Sequence, residues 1–147
     1  MEDTLISFQV AKLAKEKGFN FETYKGYLSE TIVEYFDSYP SDSIRLSEKY
    51  SNSALKNGWL CTAPTQSLLQ KWLREKHKID IIIIVNYNQH KQIKTYRCGI
   101  VYIKQLSDRQ LIETFFIRPE GEKFLFIEFS TYEEALEIGL QEALKLI

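Results

Sequence analysis

The sequence predicts an α+β fold in a single globular domain spanning residues 1–147. Three observations carry this prediction. Apolar residues recur with helical spacing at three places, a run of β-branched residues follows the second of them, and short connections separate the later apolar segments. With 44% hydrophobic and 27% charged residues, a chain of 147 residues buries a sizeable core without a disulfide or a metal.

The first predicted helix covers residues 6–17 and packs through one apolar face. That face consists of Ile6, Val10, Leu13 and Ala14. Gly18 stands where a left-handed residue ends a helix at little cost, and Phe19 is placed to fold back on the last turn. The sequence therefore predicts both the helix and the way it ends.

The assignment stays open over residues 19–61. Alternation of apolar and polar residues over 19–23 suggests a short strand. Residues 28–36 fit a helix by the spacing of their apolar residues, but their Thr-Ile-Val sequence favours a strand. The propensities do not decide between the two.

The second predicted helix, at about 65–77, begins near Pro64 with Thr62 or Thr65 as its N-cap. Its apolar stripe consists of Leu68, Leu69, Trp72 and Leu73. A four-stranded antiparallel meander at about 79–129 follows, with strands at 79–87, 93–104, 111–117 and 123–129. Residues 79–87 are apolar on both alternating faces, which is typical of a strand covered on both sides.

The C-terminal helix is predicted at about 131–146. Its start carries a capping box, formed either by Ser130 with Glu133 or by Thr131 with Glu134. Gly139 lies inside this helix, where glycine costs about 1 kcal/mol relative to alanine. The position therefore indicates close packing of the helix against the sheet.

The chain is expected to be cytoplasmic in a bacterial host. Its acidic start has no signal-peptide pattern, and its longest aliphatic run, Ile81 to Val85, is far too short for a membrane helix. Two isolated cysteines, Cys61 and Cys98, are expected to be reduced and packed as small hydrophobic residues. No membrane partner is expected.

Three helical segments resemble a known group of proteins. They are residues 63–75 (APTQSLLQKWLRE), residues 130–145 (STYEEALEIGLQEALK) and residues 6–19 (ISFQVAKLAKEKGF). Together they resemble small uncharacterised proteins of phages, prophages and mobile elements of gut Bacteroidetes bacteria. The resemblance covers about a third of the chain. It implies a phage-type cytosolic protein and brings no activity and no catalytic residue.

The sequence contains no motif that indicates an enzyme or a metal site. His77 and His90 stand apart from the cysteines and from each other, and the six glycines form no phosphate-binding loop. No catalytic, cofactor-binding or metal-ligating residue is predicted, and no cofactor is expected.

One candidate site is a basic patch within residues 71–97, a segment that contains seven basic residues and only two acidic ones. Cations interleaved with an aromatic ring suit phosphate contacts and base stacking. The alternative is a solvated helix face followed by a charged hairpin. The candidate phosphate- or nucleotide-binding residues are Lys71, Arg74, Lys78, Lys91, Lys94, Tyr96 and Arg97.

A second candidate is an apolar sheet face. The predicted strands carry more large apolar side chains than three helices cover, and an uncovered apolar face would be a partner or oligomer interface. The alternative is that residues 28–60 cover it. The candidate interface residues are Ile82, Ile84, Ile100 and Tyr102.

These features lead to three hypotheses of different classes. The first is a non-catalytic binding protein of phage or mobile-element type that acts through a protein–protein interface, with a host protein or a second copy in a homodimer as its partner. The second is a nucleic-acid or small-nucleotide binding or sequestering protein that uses the basic patch. The third is an enzyme of unknown class.

Overall fold

The computed structural model describes residues 3–36, 49–90, 92–105, 107, 109–120 and 126–147. These residues form an α+β protein with three α-helices and two three-stranded antiparallel sheets, so the predicted fold class is confirmed. The chain divides into two compact units, Met1–Leu69 and Gln70–Ile147. The prediction of a single domain stays a prediction.

The first unit contains a helix and a small sheet. Its elements are α1 (Phe8–Glu16), β1 (Lys25–Tyr27), β2 (Val33–Tyr35), a single 3-10 turn (Asn52–Ala54) and β3 (Cys61–Thr62). The strand order is β2-β1-β3, and both pairings are antiparallel. The open choice over residues 28–36 is therefore settled in favour of a turn followed by a strand. The strand suggested at 19–23 is wrong, since Thr23 makes only an isolated bridge to Tyr50.

The end of α1 follows the prediction closely. Gly18 has a positive φ of 85°, and its N–H donates to the carbonyl of Lys15. The N–H of Phe19 donates to the carbonyl of Ala14 at 2.9 Å, and the Phe19 side chain is buried. This pair of bonds is the Schellman arrangement, in which a left-handed glycine lets the chain satisfy the last helical carbonyls.

The second unit is built on a longer sheet. The helix α2 (Gln66–Trp72) crosses the boundary between the units and continues as a π-helical turn (Leu73–His77). The strands β4 (Ile79–Asn88), β5 (Ile93–Gln105) and β6 (Gln110–Phe116) follow, and α3 (Tyr132–Leu144) ends the chain. The strand order is β4-β5-β6. α3 packs against β4 and β5, and its start uses the Thr131–Glu134 capping box, one of the two predicted alternatives.

The π-helical turn explains why the second helix ends where it does. The N–H of Lys78 donates to the carbonyl of Leu73, five residues back, and Lys78 adopts a left-handed conformation with φ 59°. This geometry ends the helix and turns the chain directly into β4. Trp72 and Leu73, both on the predicted apolar stripe, are buried.

A pH-dependent loss of stability is expected from His77, at the end of this turn. Its ring stands edge-on to Trp72 with 4.6 Å between centroids, and no described residue bonds its buried Nε2. Burial, with a smaller contribution from Lys76, lowers the pKa of His77 from its ordinary 6.5. The unfolded chain binds a proton near that pH, whereas the folded chain binds it only at lower pH. The free energy of unfolding should therefore fall as the pH drops below about 6.5.

Urea unfolding at about pH 7.5 and at about pH 5.5 measures this fall. His77→Phe keeps an aromatic ring beside Trp72 without titrating, so it should lose most of the dependence on pH. His90→Gln, at the exposed second histidine, is the matched control and should keep it. An equal fall in wild type and His77→Phe would contradict the assignment to His77.

The predicted four-stranded meander is wrong in its strand number. Among the described residues only β4, β5 and β6 form this sheet, and residues 123–125 of the fourth strand predicted at 123–129 lie outside the described part. Phe129 instead makes a bridge to Tyr96, with backbone bonds of 2.8 and 2.9 Å in the two directions. Because β5 is thirteen residues long and β6 pairs with only its second half, Phe129 occupies the length of β5 that β6 leaves open.

Candidate functional site

The register of the second sheet separates its side chains onto two faces. Ile82 lies opposite Gly99 and Ile84 opposite Arg97, while Ile81 lies opposite Ile100. Since directly opposite residues of antiparallel strands share a face and neighbours alternate, Ile82 and Ile84 lie on one face and Ile81 and Ile100 on the other. The second of these faces is the one that α3 covers, because Gly139 lies against Ile81 and Cys98.

The face away from α3 is largely apolar and open, and we call it the open face. Its exposed isoleucines from β4, β5 and β6 are Ile82 (42% exposed), Ile84 (41%), Ile93 (50%), Ile103 (37%) and Ile112 (66%). An exposed isoleucine is ordinary when it stands singly, but several on one sheet face form a patch that marks an interaction site. This face is the strongest candidate site among the described residues.

A hydrogen-bonded polar cluster lies towards the hairpin end of the open face. Glu128 accepts hydrogen bonds from Arg97 (Nη2, 2.5 Å), Asn86 (Nδ2, 3.0 Å) and Thr95 (Oγ1, 3.1 Å). The Arg97 guanidinium, aided by Thr95 and Asn86, holds the pKa of Glu128 below its ordinary value. Arg97 also stands 5.1 Å from the ring centre of Phe126. The cluster fixes a charged rim next to the isoleucines.

The strand register places the four predicted interface residues on two different faces of the sheet. Ile82 and Ile84 are exposed on the open face, as an interface requires. Ile100 and Tyr102 lie on the opposite face, where Ile100 is fully buried. The sequence reasoning missed Ile93, Ile103 and Ile112, whose side is set by the registers of β5 with β4 and with β6. It also missed Glu128, which lies thirty-one residues beyond Arg97 in the chain.

The predicted basic patch does not form one surface in the structure. Arg74 reaches Asp80 at 3.7 Å at the start of β4, and Lys71 reaches Glu75 at 3.9 Å. Lys94 lies opposite Tyr87, seven residues further along β4 from Asp80, or about 23 Å at the usual strand rise. The structure thus places the helix cations and the hairpin cations at opposite ends of β4.

The individual partners of the remaining basic residues are local. Lys78 donates to the carbonyl of Glu75 at 3.1 Å, and Lys94 stands 5.1 Å from the ring centre of Tyr96 on its own strand. Arg97 is bound to Glu128. Lys91 lies outside the described residues. Surface ion pairs of this kind contribute up to about 1 kcal/mol each, so their cations are not locked away from a ligand.

Both cysteines are free and buried. Burial raises the pKa of Cys61 to about 11 and that of Cys98 to about 12. The thiolate is the reactive form of cysteine, so both side chains are inert as nucleophiles at neutral pH. This matches their predicted role as small hydrophobic residues in the two units.

Thiol titration should therefore find two protected thiols per chain. In the native protein a small alkylating reagent should react slowly with Cys61 and Cys98, because both are buried and protonated. After unfolding without reductant both should react at once. Fast labelling of the native protein, or fewer than two thiols after unfolding, would contradict this expectation.

The described part of the chain contains no group of three or more His, Cys, Asp or Glu residues placed to hold a metal ion. None of its helices combines the length and the apolar character needed to cross a bilayer. Comparison of the chain with protein-family models, with curated proteins and with solved structures finds no match. The geometry of the open face is therefore the main indication of function.

Proposed function

We propose that this chain is a non-catalytic binding protein that captures a protein partner on the open face. The single observation that carries the proposal is the set of exposed isoleucines on one sheet face, beside the charged rim at Arg97 and Glu128. Protein interfaces commonly combine an apolar centre with a polar rim. The cytoplasmic location and the phage or mobile-element origin implied by the resemblance belong to the same proposal.

Energetic magnitudes indicate how large the interface must be. Completing the burial of an isoleucine that is already half-buried contributes about 1 kcal/mol. Association costs at least about 4 kcal/mol in lost freedom of motion. The isoleucines alone barely offset that cost, so a stable complex must also engage the rim. A partner with an apolar ridge flanked by polar groups fits this requirement.

The test compares two isoleucine-to-glutamate variants. Ile112→Glu places a charge at the most exposed isoleucine of the open face, and Ile32→Glu places one at a similarly exposed isoleucine (48%) of the first unit. The protein is purified from its bacterial host with its bound proteins, and the co-purifying protein is then titrated against each purified variant. Ile112→Glu should weaken binding by about 30-fold or more, because it buries an unpaired charge. Ile32→Glu should bind as wild type does.

Three results would count against the proposal. The first is equal binding by both variants. The second is loss of binding in Ile32→Glu alone. The third is a protein that leaves the host with a small molecule and no protein partner. Circular dichroism of both variants should match wild type, since substitutions at exposed positions shift stability by about 0.5 kcal/mol or less.

Nucleotide or nucleic-acid binding is the second candidate. It is favoured by two exposed cations, Lys71 at the end of α2 and Arg74 in the π-helical turn. A phosphate ligand would bind with an affinity that falls steeply with salt. Reversing Lys71 and Arg74 to glutamate should then weaken binding of a single-stranded oligonucleotide several-fold, measured by fluorescence anisotropy at two salt concentrations. Equal weak binding by both forms would leave these cations as a solvated helix face.

A further inference from the structure

We infer that the outer edge of β4 pairs with the same edge of a second copy of this chain, antiparallel and about a two-fold axis through Ile83. This inference rests on the proposed function in one respect, because both assign the exposed isoleucines of β4 to a protein interface. It goes further by naming the partner of the β4 edge, its register and its symmetry.

The outer edge of β4 carries backbone groups without a strand partner. The carbonyl of Lys78 accepts from Ile103 and therefore points towards β5, whereas the carbonyl of Ile81 accepts from the Gln70 side chain at 3.3 Å and points away. Backbone direction alternates along a strand, so the outward groups belong to the odd-numbered residues. Those of Ile83, Val85 and Tyr87 receive no hydrogen bond from any residue that the structure describes.

An open edge of this length is a template for another strand. Natural proteins protect such edges with charges, prolines, bulges or very short strands. The ten residues of β4 contain no proline, and its second half carries exposed Ile84, Val85 and Tyr87. The first half of the edge carries the charge of Asp80 and the Gln70 bond to Ile81, but the second half lacks the usual protection. This indicates that a strand covers it in the working protein.

The order of apolar and polar residues in β4 is the same in both directions from Ile83. This symmetry favours a second copy of the chain as the strand that pairs with the β4 edge. The apolar residues pair with apolar residues on each side, and the polar residues also pair. The opposed positions are Ile82 with Ile84, Ile81 with Val85, Asp80 with Asn86, and Ile79 with Tyr87. A two-fold interface requires this kind of self-complementarity, because each residue meets its mirror position in the partner.

The direction of the backbone hydrogen-bonding groups is also consistent with a two-fold axis through Ile83. Ile83 has outward groups, so two copies exchange a pair of bonds at Ile83, and further pairs form between Ile81 of one copy and Val85 of the other. The Gln70 bond to Ile81 is then replaced by the N–H of the second copy's Val85. Opposite side chains share a face, so Ile82 of each copy packs against Ile84 of the other on the open face.

Neighbouring registers fail the same test. An axis through Ile84 places Ile82 opposite Asn86, and an axis through Ile82 places Asp80 opposite Ile84. Each of these buries a polar group against an aliphatic one. With the axis at Ile83, Asp80 meets an amide that keeps one donor proton, since Asn86 gives the other to Glu128. No like charges face each other across this axis.

The experiment uses matched single cysteines on the open face of the full chain. In the proposed dimer the two copies of Ile84→Cys lie diagonally across the axis, roughly 7–8 Å apart, within reach of a short bis-maleimide. Ile112→Cys lies on the same face but on the far strand, and serves as the control. The native Cys61 and Cys98 stay silent because they are buried.

Wild type should change from dimer to monomer mass on dilution in light scattering. Ile84→Cys should cross-link to a covalent dimer, whereas Ile112→Cys should form the same dimer without giving a cross-linked product. Val85→Pro removes an N–H that only the dimer uses, at an edge position that tolerates proline, and should weaken the dimer by roughly 100-fold. If Val85→Pro unfolds, the comparison of Ile84→Cys with Ile112→Cys still tests whether the β4 edges of two copies pair.

Monomer mass at every micromolar concentration, or cross-linking of Ile112→Cys without Ile84→Cys, would overturn the dimer. Neither result affects the proposed function, which is tested separately by the affinity of the captured partner for Ile112→Glu and Ile32→Glu. If the chain forms this dimer but no protein co-purifies with it from the host, the result supports the edge pairing and counts against the proposed function.

Discussion

Trp72→Ala is expected to lower the free energy of unfolding by about 3–5 kcal/mol, the usual range for truncating a large buried aromatic side chain. Trp72 is 1% exposed at the end of α2, and its ring packs edge-on against His77. Leu69 and Leu73 on the same stripe are fully buried. Their backbone is fixed by the helix and the π-helical turn, so the cavity cannot collapse and the larger end of the range applies.

The measurement is urea unfolding followed by far-ultraviolet circular dichroism. Trp59→Ala is the matched control, because Trp59 is half-buried in the first unit with its ring 4.6 Å from that of Phe36. It should cost clearly less. A loss below about 1 kcal/mol for Trp72→Ala, or a larger loss for Trp59→Ala, would show that the Trp72 site does not hold the second unit together.

Features encoded by nearby residues could be predicted from the sequence. The end of α1 at Gly18 and the start of α3 at Thr131 depend on hydrogen bonds between residues at most five apart. The apolar stripe of α2 follows from helical periodicity alone. Gly139 is a further case, because a glycine inside an otherwise regular helix has few explanations other than close packing.

The first sheet could not be predicted because the strand pairings and side-chain contacts that define it join residues far apart in the chain. Its strands are two or three residues long, too short for a periodic pattern, and β1 pairs with β3 through Gly26 and Thr62, thirty-six residues apart. A Cβ at Gly26 would lie 2.5 Å from the Phe36 ring and 2.8 Å from that of Trp59. The role of this glycine is visible only once both rings are in place.

The candidate site was predicted in part for a similar reason. Ile82 and Ile84 share a face by their spacing, as do Ile100 and Tyr102, but spacing does not say whether the two pairs share a face with each other. That depends on the register of the β4–β5 hairpin, which the turn sets, with Gln92 at a φ of 51°. A shift of one residue reverses every side chain of a strand, so the register decides which isoleucines are exposed.

Gly139→Ala is expected to destabilise the protein by about 1–3 kcal/mol through overpacking, although alanine is the better helix former by about 1 kcal/mol. A Cβ at this position would lie 2.8 Å from Cγ2 of Ile81 and closer still to Sγ of Cys98. Both atoms are attached directly to a Cβ and move only by a χ1 rotation, which the packing around these two buried side chains resists, so α3 must move away from β4 and β5.

A double-mutant cycle with Cys98→Ala tests this reason for the loss of stability. Cys98→Ala removes the sulfur that the new methyl would meet, so the double variant should be more stable than the sum of the two single losses predicts, by about 0.5 kcal/mol or more. Urea unfolding of the four proteins supplies the comparison. Additive losses, or a Gly139→Ala protein more stable than wild type, would mean that α3 has room to accept the methyl and that Gly139 is not set by contact with the sheet.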